Sequence, residues 1–303
     1  MRQILRDVYV VKEYQLGDMD CCFYLVNTKS DDGLVLIDAG LYFDKIKEIE
    51  KHGFKLKDIK HCLITHGHID HFGACHELKK INKNIKFYAH ELDVDKIEQK
   101  QEDKYIQQYY ADYKYEPVKV TNIIKQDGEI LKFGQLEFKC IHIPGHTPGS
   151  LVYLLEKEQK RLLFGGDLPG LAINLHGGNL DDYVKSIPKL YDLNIDILCE
   201  GHENVIQPAE KVLKFMKGYV KFNQYLHIII EVNPLDSKAV LELTKISCDL
   251  EFYENALDFC NYLLEIDPSN TEAHQLLKEI ETHKPAKYEF LKGLIKESFG
   301  NEI

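Results

Sequence analysis

Four side chains of metal-binding type, His66, His68, Asp70 and His71, fall within six residues, directly behind the apolar run Cys62-Leu63-Ile64. In an extended loop leaving a strand, residues two apart share a face, so His66 and His68 can converge on one cation. Asp70 and His71 then sit at the start of the following helix, aimed at a neighbouring point. Three imidazoles and a carboxylate suit Zn²⁺ or another borderline divalent metal. The spacing predicts a strand ending at Ile64, a ligand loop, and a helix near 71–82.

The surrounding sequence repeats that strand-then-helix phrase. Cys22–Val26 and Leu34–Ile37 read as strands, the second apolar throughout and so buried on both faces. Phe43, Ile46 and Ile49 form one helical stripe that Gly53 can stop. Lys86–Ala89 reads as a strand, with a helix from about 91. The segment from Tyr105 to Tyr115 holds five of the 18 tyrosines and reads as an inserted helix or lid. Strands then return at Leu136–Ile143, Leu151–Leu155, Arg161–Phe164 and Ile195–Leu198, with a helix near 180–192. Two β-then-α halves, packed sheet on sheet with helices outside, make a four-layered αβ/βα sandwich over residues 1–210.

From 211 to 303 the strand signal stops and amphipathic helices follow, broken at Pro234, Pro268 and Pro285, as expected of a small all-α domain. Glu231-Val232-Asn233-Pro234 and Glu265-Ile266-Asp267-Pro268 are one phrase written twice, 34 residues apart, which is the tetratricopeptide period. The copy at Ala256–Asn270 resembles the second helix and exit of such a repeat, while Thr244 and Ser247 depart from its first helix. Two copies rarely close a core alone. Leu226, Ile229, Ile230, Leu257, Cys260, Leu263 and Leu264 are therefore expected to lean on the sandwich or to form a homodimer.

Composition narrows the partners. With 38 Lys+Arg against 49 Asp+Glu the net charge is −11, which repels phosphate backbones and anionic membranes, so nucleic acid is disfavoured as a partner. The N-terminus lacks an apolar signal region and no stretch approaches the roughly 18 apolar residues of a membrane span. Eight scattered cysteines without a CxxC pair fit reduced thiols. A soluble cytoplasmic protein acting on a small molecule is expected.

The HxHxDH stretch after a short apolar strand resembles the signature of the metallo-β-lactamase-fold superfamily, and further motifs follow in order. His146 stands in Pro144-Gly145-His146-Thr147-Pro148-Gly149-Ser150, Asp167 in Phe164-Gly165-Gly166-Asp167, and His202 in Cys199-Glu200-Gly201-His202, while Leu36-Ile37-Asp38-Ala39-Gly40 resembles the early strand of that family. The resemblance implies that His66, His68 and His146 hold one metal, that Asp70, His71 and His202 hold a second, and that Asp167 bridges them. Asp38 would orient a ligand from behind. It further implies a dinuclear metal-dependent hydrolase, with Zn first and Fe or Mn as alternatives. Its bridging hydroxide, activated at neutral pH, would cleave an ester, thioester, lactone or related bond, with Asp70 and Asp167 central to catalysis.

Departures from the pattern separate the members. Flavodiiron proteins carry Glu where this chain has His68, the best-known zinc β-lactamases carry Cys in place of Asp167, and the nucleases add insertions or basic surfaces. Glyoxalase II is similar in its helical C-terminal domain and in Gly201-His202-Glu203, but its glutathione-gripping basic residues have no clear counterpart here. Acyl-homoserine lactonases have a tyrosine three residues after the bridging Asp, where this chain has Gly170. Persulfide dioxygenases use a subset of these ligands around one iron, which leaves a mononuclear-iron sulfur oxidation as an alternative. A helical interaction module on a vestigial enzyme is another. His176 reads as a surface-loop residue, Tyr42 as a core cap, His142 as a strand residue, and Lys83 and Lys86 as a solvated edge.

Overall fold

The computed structural model describes residues 1–15, 18–99, 110–168, 170–287 and 289–300. The chain forms two compact units, Met1–Leu213 and Lys214–Ile303. In the first, strands β1 (Arg2–Leu5), β2 (Val8–Lys12), β3 (Phe23–Asn27), β4 (Leu34–Ile37), β5 (Ile59–Leu63), β6 (Lys86–His90) and β7 (Asn122–Ile124) lie side by side in sequence order. β1 to β4 pair antiparallel and β4 to β7 parallel. A second sheet runs β12-β11-β10-β9-β8, from β8 (Ile130–Phe133), β9 (Leu136–His142), β10 (Leu151–Lys157), β11 (Lys160–Gly166) and β12 (Ile197–Glu200), with only β11 and β12 parallel.

Alternation along the strands explains why both faces of the first sheet are buried. Cys21, Phe23, Leu25, Leu34 and Leu36 point to the helix-side core, whereas Cys22, Tyr24, Val26, Val35 and Ile37 point to a core shared with Phe138, Tyr153, Leu155 and Phe164 of the second sheet. Seven of the eight cysteines are buried and all are free. Tyr153, in that shared core, donates from its hydroxyl to the Ile64 carbonyl at 2.8 Å. The second sheet is thereby tied to the end of β5, where the ligand loop begins.

Parallel pairing requires crossovers, and these are short: α1 (Phe43–Lys47), α2 (Ile69–Phe72), α3 (Cys75–Ile81) and α4 (Val94–Gln99). Gly53 takes the left-handed φ of 84° expected of a stop. The single helix expected near 71–82 is instead two. Ala74 donates its N–H to the Gly40 carbonyl at 2.9 Å rather than up its own helix, and Ala39 donates to the His71 carbonyl at 2.8 Å, so the chain after β4 takes over the helix's bonds. On the other side, α5 (Leu180–Ser186) gives way to a tighter 3₁₀ run, Ile187–Leu193, at Pro188, which has no N–H to offer.

The second unit is helical: the end of α6 (Ala209–His227), which widens into a π turn at Ile228–Val232, then α7 (Ser237–Asp249), α8 (Tyr253–Ile266), α9 (Thr271–Thr282) and α10 (Leu291–Phe299). The two copies of the 34-residue phrase make the same turn. Each ends a helix, passes its proline, and caps the next helix: Asp236 accepts from Ala239 N–H and Asn270 from Ala273 N–H, both at 3.0 Å. Leu226, Ile229, Ile230, Cys260 and Leu263 are fully buried within the single chain. Thr244 and Ser247 are buried as well, and Thr244 donates to the Val240 carbonyl at 2.9 Å. No helix among the described residues is long and apolar enough to cross a membrane.

Candidate metal centre

Each candidate ligand follows the carboxyl end of a strand or sits in a loop that joins two. Asp38 comes directly after β4, in a left-handed conformation with φ 56° that a short hydrogen-bonding side chain tolerates. Its Oδ1 accepts from Thr65 N–H at 2.8 Å, and its Oδ2 accepts from Thr65 Oγ1 at 2.9 Å and lies 2.9 Å from His71 Nδ1. Because Thr65 gives its hydroxyl hydrogen to Asp38, its oxygen can accept from His66 Nδ1, 3.1 Å away. One donor chain thus orients both rings and turns Nε2 of His66 and His71 inward. His146 is set likewise, its Nδ1 lying 3.1 Å from the Leu171 carbonyl.

Asp93, which ends the single 3₁₀ turn after β6, ties the ligand loops together. Its side chain is fully buried. Oδ2 accepts from Gly67 N–H at 2.8 Å and from Thr147 Oγ1 at 2.6 Å, and Oδ1 accepts from Gly149 N–H at 3.1 Å. A Cβ on Gly149 would stand 2.6 Å from the Asp93 carboxyl carbon, so only glycine permits this approach. Leu151 N–H adds a 2.8 Å bond to the Thr65 carbonyl between the same two loops.

The structure brings the ligand atoms into two groups. In the first, His68 Nδ1 lies 3.1 Å from His66 Nε2 and 2.9 Å from His146 Nε2. In the second, Asp70 Oδ2 lies 3.0 Å from His202 Nε2 and 3.3 Å from His71 Nε2. Asp167 divides its oxygens between them: Oδ2 is 3.3 Å from His146 Nε2 and 4.0 Å from His66 Nε2, while Oδ1 is 2.9 Å from His71 Nε2 and 3.5 Å from His202 Nε2. The ligand atoms of His66, His68, His146 and Asp167 all lie within 4.8 Å of one another, as do those of Asp70, His71 and His202.

Hydrogen bonding leaves this arrangement unfinished, and a cation would complete it. His71 Nε2 and Asp167 Oδ1 are 2.9 Å apart and buried, yet neither makes a hydrogen bond. In the metal-free protein the surrounding carboxylates favour a proton on His71, and a divalent cation displacing that proton would put a positive charge between the two atoms. Burial holds the His66 and His68 imidazoles well below their usual pKa, which keeps their lone pairs available. At His202 burial also opposes charge, but Asp167 and Asp70 outweigh it and push the imidazole up to about 9.

Supporting groups were harder to read from sequence. Glu200, fully buried, accepts His202 N–H on Oε2 at 2.6 Å and so sets the turn into His202, while burial and Asp167 push its own carboxyl up. Cys21 lies beside Asp38 and His71. Asp38 already accepts there from Thr65 and His71, and burial pushes the Cys21 thiol up, so this third cluster supports His71 from behind. His176 is buried, in place of the surface position expected for it, and Tyr42 is 49% exposed, in place of capping a core. His142 is a strand residue as expected, its ring stacked 3.9 Å from His90. Of the Tyr-rich segment, residues 105–109 lie outside the described residues, and Tyr110–Tyr115 runs as a turn and extended chain with no helix.

Comparison with known proteins agrees with this geometry. The profile of the Metallo-beta-lactamase superfamily matches residues 17–202. The chain is 31% identical over 174 residues to hydroxyacylglutathione hydrolase GloC of Haemophilus influenzae, covering 55% of this chain and 78% of that one. It is 29% identical over 111 residues to the acyl-coenzyme A thioesterase MBLAC2 of Gallus gallus, covering 34% and 39% respectively. In fold it is similar to the MIM-2 metallo-beta-lactamase, with a TM-score of 0.58 at 22% identity over 74% of this chain and 88% of that one. The family match spans more than half of the chain and takes in every ligand position, and the chain accordingly belongs to the metallo-β-lactamase superfamily as a metal-dependent hydrolase.

Proposed function

We propose that the protein hydrolyses a thioester at a site of two divalent cations, Zn before Fe or Mn, one held by His66, His68 and His146 and the other by Asp70, His71 and His202, with Asp167 between them. The observation that carries the two-ion reading is Asp167, which turns one oxygen to each group. When bound, such ions supply a hydroxide nucleophile at neutral pH and positive charge for the developing oxyanion.

The chain's own residues prepare that chemistry. The Thr65 and Asp38 hydrogen bonds hold His66 and His71 with Nε2 turned inward, and Asp93 holds the two ligand loops in register. His202, with its side chain 32% exposed, marks the open side from which an acyl group can arrive. A thioester suits a site where the described residues supply no dedicated acid for the leaving group, because a thiol with a pKa of about 8.5 departs readily as thiolate. The two sequence relatives described above are named for thioester substrates, which supports the same choice.

The test is elemental analysis of purified protein together with a panel of thioester, ester, lactone and phosphodiester substrates. Two metal equivalents and a preference for the thioesters are expected. One equivalent, with activity indifferent to Asp167→Asn, would overturn the two-ion reading; a preference for another bond would overturn the thioester.

A further inference from the structure

The ligand imidazoles are not all served alike at their outer nitrogens. His66 Nδ1 lies 3.1 Å from Thr65 Oγ1, His71 Nδ1 lies 2.9 Å from Asp38 Oδ2, and His146 Nδ1 lies 3.1 Å from the Leu171 carbonyl, so each of these rings meets an oxygen of the protein behind it. His68 is turned the other way round. Its Nδ1 faces His66 Nε2 and His146 Nε2, and its outer nitrogen, Nε2, is buried without a hydrogen-bond partner. A metal-bound imidazole ordinarily gives its outer N–H to a carboxylate, a carbonyl or water. With a cation on Nδ1 the His68 hydrogen is on Nε2, and none of the described residues accepts it.

A second buried donor stands beside it. Lys96, on α4, lies along Gly67: a Cβ on that glycine would come within 3.0 Å of both Cβ and Cδ of the lysine. The ammonium is two bonds beyond Cδ, so it stays against the loop that joins His66 to His68. It is buried and makes no hydrogen bond, and after burial and His146 its charge is the next cause that holds the His68 imidazole below its usual pKa. The carboxylate packed on the same glycine, Asp93, is already taken by Gly67 N–H, Thr147 Oγ1 and Gly149 N–H. Two buried groups that only donate thus flank Gly67, and neither can satisfy the other. Water would accept from both but leave the lysine's charge without a counter-charge, which is strongly unfavourable in a buried place. A monovalent anion supplies the acceptor and the charge together.

We propose that Lys96 Nζ and His68 Nε2–H form a binding site for a small monovalent anion, chloride or a carboxylate of formate size, beside the first ligand group. The inference rests on the reading of His68 as a metal ligand through Nδ1. The anion takes a hydrogen bond from each nitrogen, and no covalent bond forms or breaks. An acceptor on Nε2–H makes the imidazole a stronger ligand at Nδ1, so the anion tightens the hold of His66, His68 and His146 on their cation. The lysine sets the preference for charge, and the histidine carries the effect to the metal.

The test pairs crystals of the zinc-loaded protein grown in bromide, whose anomalous scattering locates the ion, with zinc affinity in solution, measured in chloride and again in a bulky sulfonate salt of equal ionic strength. The expected result is bromide within hydrogen-bond distance of Lys96 Nζ and His68 Nε2, and zinc held at the first group about tenfold less tightly in the sulfonate than in chloride. Lys96→Met keeps an unbranched stem and removes the charge; it should show no bromide there and the same zinc affinity in both salts. Absence of bromide at Lys96 in the wild type would overturn the proposal. So would an equal dependence on chloride in K96M, because the halide would then act on the zinc directly. If the wild type binds no zinc, the ligand reading falls by itself, and the bromide position in crystals of the zinc-free protein still decides the anion site.

Discussion

His66, His68 and His146 present three imidazoles to one point, whereas Asp70, His71 and His202 join a carboxylate to two. The first group is buried throughout, with its most open member, His146, at 8% exposure; the second reaches the surface at His202. Asp93 holds the loops of the first, and Asp38 and Glu200 hold the second. Their protonation differs in sign as well. Burial keeps His66 and His68 neutral, so a cation meets free lone pairs. Burial opposes charge on His71 too, but the carboxylates around it outweigh that and hold it well above its usual pKa, so a cation there must displace a proton. Under the two-ion proposal, the first group is a rigid and nearly pH-independent grip, and the second is an open and exchangeable one.

The largest effect is expected where the groups meet. Asp167→Asn removes charge from both, which at several kcal/mol of lost transition-state stabilisation is about a thousandfold in kcat/KM. Steady-state kinetics alongside elemental analysis should show metal content falling with it. Next in size is a pair of variants that should split the groups. Asp38→Ala frees His71 directly and His66 only through Thr65, and is expected to weaken the second ion by roughly 10- to 100-fold and the first by less. Asp93→Ala unpins Gly67, Thr147 and Gly149 and should weaken the first ion instead, with a stability loss of about 1–3 kcal/mol from the donors left unpaired. Competition with a chelator reads both affinities. If the two variants weaken the same ion equally, the division of labour drawn here is wrong.

A third expectation concerns protons in the metal-free protein. His202, raised to about 9, contributes stability that is fully present below pH 6.5 and lost as pH rises through 9. His66 and His68, lowered by burial, act the other way: their cost is absent well above pH 6.5, grows as pH falls from there toward their folded values, and is complete below them. Histidine NMR titration should find His202 charged and His66 and His68 neutral at pH 7.5. Finding all three neutral would remove the contrast. The smallest effects belong to the helical unit. Asp236→Ala and Asn270→Ala should each cost about 1 kcal/mol of stability through their lost caps. Similar costs and unchanged metal affinity are expected by denaturant unfolding and chelator competition, since neither residue takes part in either ligand group.

What was legible in the sequence followed from short-range patterns. His66, His68, Asp70 and His71 are spaced by strand and helix geometry, and His146, Asp167 and His202 each stand in a glycine-bearing loop at a strand end, so motif and position agree. The buried run Leu34–Ile37 reads as a strand covered on both faces because it is one. Asp93 and Glu200 were not legible as functional, since their partners are mostly backbone N–H groups, and those of Asp93 lie 26 to 56 residues away. The break in the helix after Phe72 was hidden for the same reason, its cause being the Gly40 carbonyl in the loop after β4. Residues 2–12 carry two strands that do not stand out in the sequence, because Arg2 and Gln3 of β1 are exposed at the sheet edge, where alternation is weakest. In the helical unit, the repeated phrase foretold a repeated turn, and the structure adds that Asp236 and Asn270, two residues after each proline, cap the next helix.

The most direct test of the central claim is a calorimetric zinc titration of metal-free wild-type protein at pH 6.5 and again at pH 8.5. Two sequential equivalents are predicted, the first with nearly the same affinity at both values and the second tighter at the higher pH. A single equivalent, or two whose affinities shift alike, would contradict the account.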